Sequence, residues 1–147
     1  MAVAVYNQRM LHDPHKIPEP ILVLSGTTYL IPAFMAYRAS AHYHMWSYLF
    51  LTATTMGFHW TRDETLFLLD CLAILNYIGC SVVESYRSPL YASRIFAGAL
   101  GYSLTSYFIG QQFRIMSFHP DWNTQMAYHA LMHISTAYSA VVFMSER

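Results

Sequence analysis

Residues 124–144 read Thr-Gln-Met-Ala-Tyr-His-Ala-Leu-Met-His-Ile-Ser-Thr-Ala-Tyr-Ser-Ala-Val-Val-Phe-Met. This uncharged stretch is long enough to cross a bilayer, which takes about 20 residues. His129 and His133 lie inside it, one helical turn apart and therefore on one face. Ionisable groups at membrane depth are costly and usually functional. At this spacing two imidazoles can converge on a metal, a haem or a polar neighbour.

The whole chain supports a membrane reading. Of its 147 residues 55% are hydrophobic and only 11% charged, against about 25% charged in soluble proteins. Eight basic and eight acidic residues cancel, which speaks against a nucleic-acid partner or a polybasic lipid anchor. Apolar segments at about 20–37, 42–59, 65–83, 89–110 and 124–144 predict five transmembrane helices. The expected fold is an all-α, polytopic bundle in a single integral membrane domain, 1–147, with residues 1–19 as a polar N-terminal segment. That segment carries Arg9, Asp13, Lys16 and Glu19 and lacks a cleavable apolar core, so the first span is expected to act as its own insertion signal.

Twelve tyrosines and three tryptophans fit interfacial belts. Gly98 and Gly101, with Ala97 and Ala99, are expected to let the fourth helix approach a neighbour closely. Cys71 and Cys80 fall on one helix roughly 13 Å apart, too far for a disulfide. Arg9, Lys16, Arg62 and Arg114 fall on one side, and Arg38, Arg87, Arg94 and Arg147 on the other, leaving the orientation open.

Five crossings assign each polar residue a side. His59 ends the second helix, Asp70 begins the third, and His129 and His133 occupy the first half of the fifth. All four fall in the same half of the bilayer, and Thr55 shares the face of His59. Three neutral imidazoles with an open fourth position make a water-activating zinc site, and a nearby carboxylate can orient a ligand or manage protons. The alternative is a set of interhelical hydrogen bonds in a histidine-rich chain. His12, His15, His42, His44 and His119 read as loop or interface residues making solvent or headgroup contacts.

The set Thr55-Met-Gly-Phe-His59, then Leu68-Leu69-Asp70, then His129-x-x-x-His133 resembles the alkaline ceramidases and their membrane-hydrolase superfamily, which includes the adiponectin receptors. The pattern there is Ser-x-x-x-His, then an Asp with ten residues between it and that His, and a later His-x-x-x-His. Thr55 stands here for the Ser. Tyr48 to Thr52 is similar to the family's second-helix region. The resemblance covers roughly the first four family helices and the last, with two of the usual seven absent between them. It implies that His59, His129 and His133 bind zinc, that Thr55 and Asp70 are catalytic, and that zinc activates the water attacking the amide of an N-acyl lipid. It also implies a correspondence between Glu19 and one acid of the ceramidase calcium site. No counterparts of the other calcium ligands are found, so calcium is not expected.

Two functional readings follow. One is a zinc-dependent lipid amide hydrolase. The other is an inactive accessory subunit of a large membrane assembly, such as a mitochondrial respiratory complex or ATP synthase, whose other subunits would then be its partners beside membrane lipids and would hold down its polar N-terminus. The corresponding locations are the endoplasmic reticulum or Golgi and the mitochondrial inner membrane. Haem ligation by histidines of two helices is a third reading.

Overall fold

The computed structural model describes residues 19–147; the N-terminal segment with His12 and His15, and any contact holding it, lies outside the described residues. Among those described the fold is entirely helical, with five helices and no strand. Helix α1 runs over Pro20–Arg38, α2 over His42–Thr61 and α3 over Glu64–Ser85. Helix α4 runs from Leu90–Leu104 through a π turn, Thr105–Ile109, into Gly110–Phe113, and α5 runs over Trp122–Ser145. The elements coincide with the five apolar segments to within a few residues.

Local chemistry explains the breaks. Pro32 has no N–H to give the Thr28 carbonyl and its ring crowds that group, so α1 tightens into a 3₁₀ turn at Thr27–Tyr29. The Thr27 and Thr28 hydroxyls donate to the Leu24 and Ser25 carbonyls in the same stretch. Helix α4 ends where the chain folds back on itself. A Cβ on Gly110 would lie 2.8 Å from the Ile115 carbonyl oxygen, so only glycine fits.

The starts of α3 and α5 are capped by aspartates. Asp63 accepts from the Thr65 and Leu66 N–H groups at 2.9 and 3.1 Å, and Asp121 from Thr124 at 2.8 Å. Hydrogen bonding to Thr124 holds the Asp121 carboxyl below the usual carboxylate range. Replacing Asp63 with alanine is expected to lower stability by about 1 kcal/mol, read by equilibrium unfolding in detergent; unchanged stability would mean that solvent satisfies those amides equally well.

Helix α2 packs between α1 and α3, and α5 packs against α1 and α4. The interior combines small residues with aromatics: Ala33, Ala36, Ala73, Ala137 and Ala140 around Tyr29, Tyr48, Tyr77 and Phe143. Many polar groups are also buried, among them Thr52, Thr54, Thr55, His59, Asp70, Ser81, Glu84 and Ser139. Large apolar side chains face outward, including Leu24, Phe34, Trp46, Leu72, Leu75 and Phe108. Cys71 and Cys80 are free thiols.

Among the described residues two helices are long and apolar enough to cross a membrane, α1 and α3, with mean hydropathies of 1.4 and 2.0. Helices α2 and α5 carry His, Tyr, Trp, Ser and Thr, which lower hydropathy without adding charge. The π turn leaves α4 with a continuous α-helical stretch of only 15 residues. Gly98 and Gly101 correct the packing expectation: a Cβ on either would meet nothing within 4 Å. Ala92, Phe96 and Ala99 are the residues that α4 turns inward. The close approach occurs at Gly26, where a Cβ would stand 3.1 Å from the Thr55 methyl.

Candidate metal centre

One end of the bundle collects the last turn of α2, the first half of α5 and the starts of α1 and α3. There the imidazoles of His59, His129 and His133 converge. Ring centroids are 5.0 Å apart for His59 and His129, 5.4 Å for His59 and His133, and 5.1 Å for His129 and His133. One ring nitrogen from each lies within 4.8 Å of the others. A zinc ion bonded to three nitrogens at about 2.0–2.1 Å holds them about 3.3 Å apart, so from separations of up to 4.8 Å these nitrogens need to draw together by at most about 1.5 Å.

Hydrogen bonds orient two of the rings. His59 is 1% exposed, and its Nδ1 lies 2.7 Å from Glu19 Oε2. A carboxylate only accepts, so Nδ1 carries a proton, and in the neutral ring Nε2 is the nitrogen with the lone pair. His133 Nδ1 lies 2.9 Å from Ser25 Oγ, which spends its own proton on the Leu22 carbonyl at 3.0 Å. Ser25 must then accept from His133 Nδ1, and again Nε2 is the free nitrogen. This donor set, neutral imidazoles with the opposite nitrogen fixed by a protein acceptor, is the chemistry that a borderline-soft divalent ion prefers.

Glu19 sits just ahead of α1 and is 1% exposed. Its other oxygen, Oε1, accepts from the Arg62 guanidinium. Arg62 adopts a left-handed conformation, φ 55°, at the end of α2 and is itself buried. The carboxylate thus has a cation on one side and an imidazole N–H on the other. Both Glu19 oxygens are engaged by donors of the protein itself.

Asp70 lies in the second turn of α3. Its Oδ1 accepts from Thr55 at 2.6 Å and from Thr54 at 3.0 Å. Both hydroxyls address one oxygen, so Oδ2 is the one left for chemistry. The methyl that distinguishes Thr55 from serine lies over Gly26, so the threonine is accommodated in the site without displacing its hydroxyl from Asp70. Thr55, Asp70, His129 and His133 line one end of a cavity of about 110 Å³ whose other walls include Ile74, Ile78, Phe96 and Leu100.

The structure therefore brings together Thr55, Asp70, His59, His129 and His133 at one end of the bundle. It adds three residues that sequence reasoning did not place there: Glu19, Ser25 and Arg62. Glu19 and Arg62 carried a readable signal, because opposite charges flanking the first and second spans fall on the same side as His59. Ser25 carried none. Of the remaining described histidines, His42 is exposed and His119 accepts from the Asp121 N–H at 3.0 Å. His44 departs from a solvent-facing role, with its Nε2 buried 3.4 Å from Glu84 and lacking a hydrogen-bond partner.

No known protein family, curated protein or solved structure matches this chain.

Proposed function

We propose that the chain is a shortened, ceramidase-like integral membrane protein whose five helices all cross the bilayer, and that it hydrolyses the amide bond of N-acyl lipids at a zinc ion held by His59, His129 and His133. The observation that carries this reading is the convergence of three imidazoles from α2 and α5, one buried and two half-buried, with Nδ1 of two of them held by Glu19 and Ser25. Membrane insertion is supported by the distribution of polarity. Helix α3 has a mean hydropathy of 2.0 yet only 28% of its apolar window is buried, unlike the core helix of a water-soluble protein. Carboxylates, hydroxyls and imidazoles lie inside while Leu, Phe and Trp side chains lie outside.

Zinc, when bound, supplies Lewis acidity that activates water and polarises a carbonyl. The chain's own residues do the rest. Glu19 orients His59 and raises its basicity as a ligand. Asp70, anchored through Oδ1 by Thr54 and Thr55, offers Oδ2 to take a proton from the attacking water and return it to the departing amine. The apolar walls beyond Asp70 exclude bulk water and accept hydrocarbon from the lipid. On this reading purified protein, loaded with one zinc per chain, releases fatty acid from ceramide. Absence of both metal and release would refute it.

Glu19→Gln tests the supporting carboxylate. The substitution retains an acceptor but removes the charge shared by His59 and Arg62, and zinc affinity is expected to fall about 10–100-fold in a competition titration. An unchanged affinity would show that the packing of the ring, and not Glu19, sets its orientation.

A second reading, an accessory subunit of a larger membrane complex, is favoured by one observation. Gly79, Gly98 and Gly101 on α3 and α4 meet nothing within 4 Å, and small residues on a helix surface let a neighbouring helix come close. Such a subunit would migrate with stable partners on native gels in mild detergent, in the mitochondrial inner membrane for a respiratory or ATP synthase complex. Migration alone would leave the hydrolase reading by itself.

A further inference from the structure

The cavity beside the three histidines has a volume of about 110 Å³, too little for the hydrocarbon of a long-chain lipid. An apolar cavity of about 150 Å³ takes one benzene ring, so on that scale this one takes about four or five carbons. We propose that it is an acyl subsite, which selects amides with a short acyl chain of about four to six carbons, and that Phe96 and Leu100 set the limit. The chemistry at the carbonyl rests on the hydrolase reading above; the choice of chain rests on the cavity itself.

The far end of the cavity is closed. Its lining runs two turns along α3, from Asp70 beside the metal ligands to Tyr77 and Ile78. There it meets Leu51, Tyr77 and Phe96, all buried and all part of the main core. The Tyr77 hydroxyl donates to the Thr136 carbonyl at 2.8 Å, the Phe96 ring packs on Phe143 with centroids 5.6 Å apart, and Tyr29 meets Tyr77 edge-on at 6.1 Å. Tyr29 also hydrogen-bonds Thr136 Oγ1, so the hydroxyls at this end are engaged with the protein and hydrocarbon is what remains for a ligand. A longer chain could extend the space only by breaking these contacts, and close-packed interiors resist that.

The side of the cavity differs. Ile74, one turn beyond Asp70 on the same face of α3, lines the space and is nevertheless 41% exposed. Ser93 Oγ donates to the Ser85 carbonyl beside the turn that joins α3 to α4, and among the described residues no hydrogen bond ties these two helices together further along, at Ile74 and Ser103. The cavity therefore opens sideways at Ile74, next to the carboxylate that returns a proton to the departing amine. The amine half of a substrate, whatever its length, lies at this opening and leaves through it. Its acyl half is turned toward the closed end, and that is the half the walls measure.

The test offers the zinc-loaded chain acetyl, butanoyl, hexanoyl, decanoyl and hexadecanoyl sphingosine, and separately the alkanehydroxamates of the same lengths, whose oxygens ligate zinc without being hydrolysed. Hydroxamate affinity is expected to rise about fourfold for each methylene until the cavity is full, and release and affinity are both expected to fall about tenfold or more between hexanoyl and hexadecanoyl. Leu100 is half-buried on the α4 wall, where substitution is better tolerated than at Phe96. Leu100→Ala is expected to move the break to longer chains and Leu100→Phe to shorter ones. Hexadecanoate released as readily as hexanoate, or a length profile that neither Leu100 variant moves, would overturn the subsite and leave the hydrolase standing. No release at any length, with the hydroxamate profile and its shifts intact, would remove the hydrolase and support the subsite. Hydroxamates that bind at no length would overturn it.

Discussion

On the zinc reading proposed above, purified protein carrying His129→Ala is expected to fail to hold zinc. Three imidazoles are the smallest set that closes a zinc site with an open fourth position, and two of them leave one histidine on each of two helices. Structural zinc sites draw roughly 10–16 kcal/mol from their ligands, and on that scale losing one of three ligands costs on the order of 4 kcal/mol, about a thousandfold in affinity. Protein that binds one zinc at nanomolar concentration should then need micromolar zinc or more. Helical content by circular dichroism should stay unchanged, because His129 is only partly buried and lies within a helix whose core contacts are made by Ala130, Ala137, Ala140 and Phe143. A variant that retains stoichiometric zinc would show that the three rings are a hydrogen-bonded cluster and not a metal centre.

Asp70→Asn separates chemistry from binding. Asparagine presents an Oδ1 that still accepts from Thr54 and Thr55, so the local geometry is retained. It cannot take a proton at the second position. Turnover of ceramide is expected to drop about 100- to 10,000-fold, the usual range for loss of a positioned general base, while zinc content stays at one per chain. Turnover equal to that of the parent would reduce Asp70 to a buried anchor for two hydroxyls. Loss of zinc together with turnover would place its role in holding the metal ligands instead.

The five helices were legible because apolar length is a strong signal, and the end of the bundle at which each polar residue falls follows from successive helices running in alternate directions. That argument put Thr55, His59, Asp70, His129 and His133 at one end, where the structure has them. Other features depend on tertiary packing that a single chain does not reveal. The first apolar segment reads as one uninterrupted span, without the 3₁₀ turn ahead of Pro32, and nothing marked the π turn at Thr105–Ile109. Gly98 and Gly101 read as contact residues, yet the rotation of α4 is set by Ala92, Phe96 and Ala99, one turn or so apart on another face. Glu19 reads as the last residue of a polar N-terminal segment until the left-handed residue Arg62 and the ring of His59 are seen to meet it. His44 reads as solvated because its neighbour, Glu84, is distant in sequence and arrives only with the end of α3.

The cavity pairing of Thr55 with Gly26 shows the same limit from another side. Threonine in place of serine is a departure in sequence terms, adding a methyl and a stiffer rotamer. In three dimensions the methyl occupies space that a glycine leaves free, and the hydroxyl still reaches Asp70 at 2.6 Å.

The most direct test of the central claim is zinc K-edge X-ray absorption on the purified chain, with metal content measured on the same sample. The account predicts one zinc per chain with three nitrogen scatterers of imidazole type at about 2.0–2.1 Å. A chain without zinc after purification in zinc-supplemented buffer, or a first shell containing sulfur or fewer than three imidazoles, would contradict it.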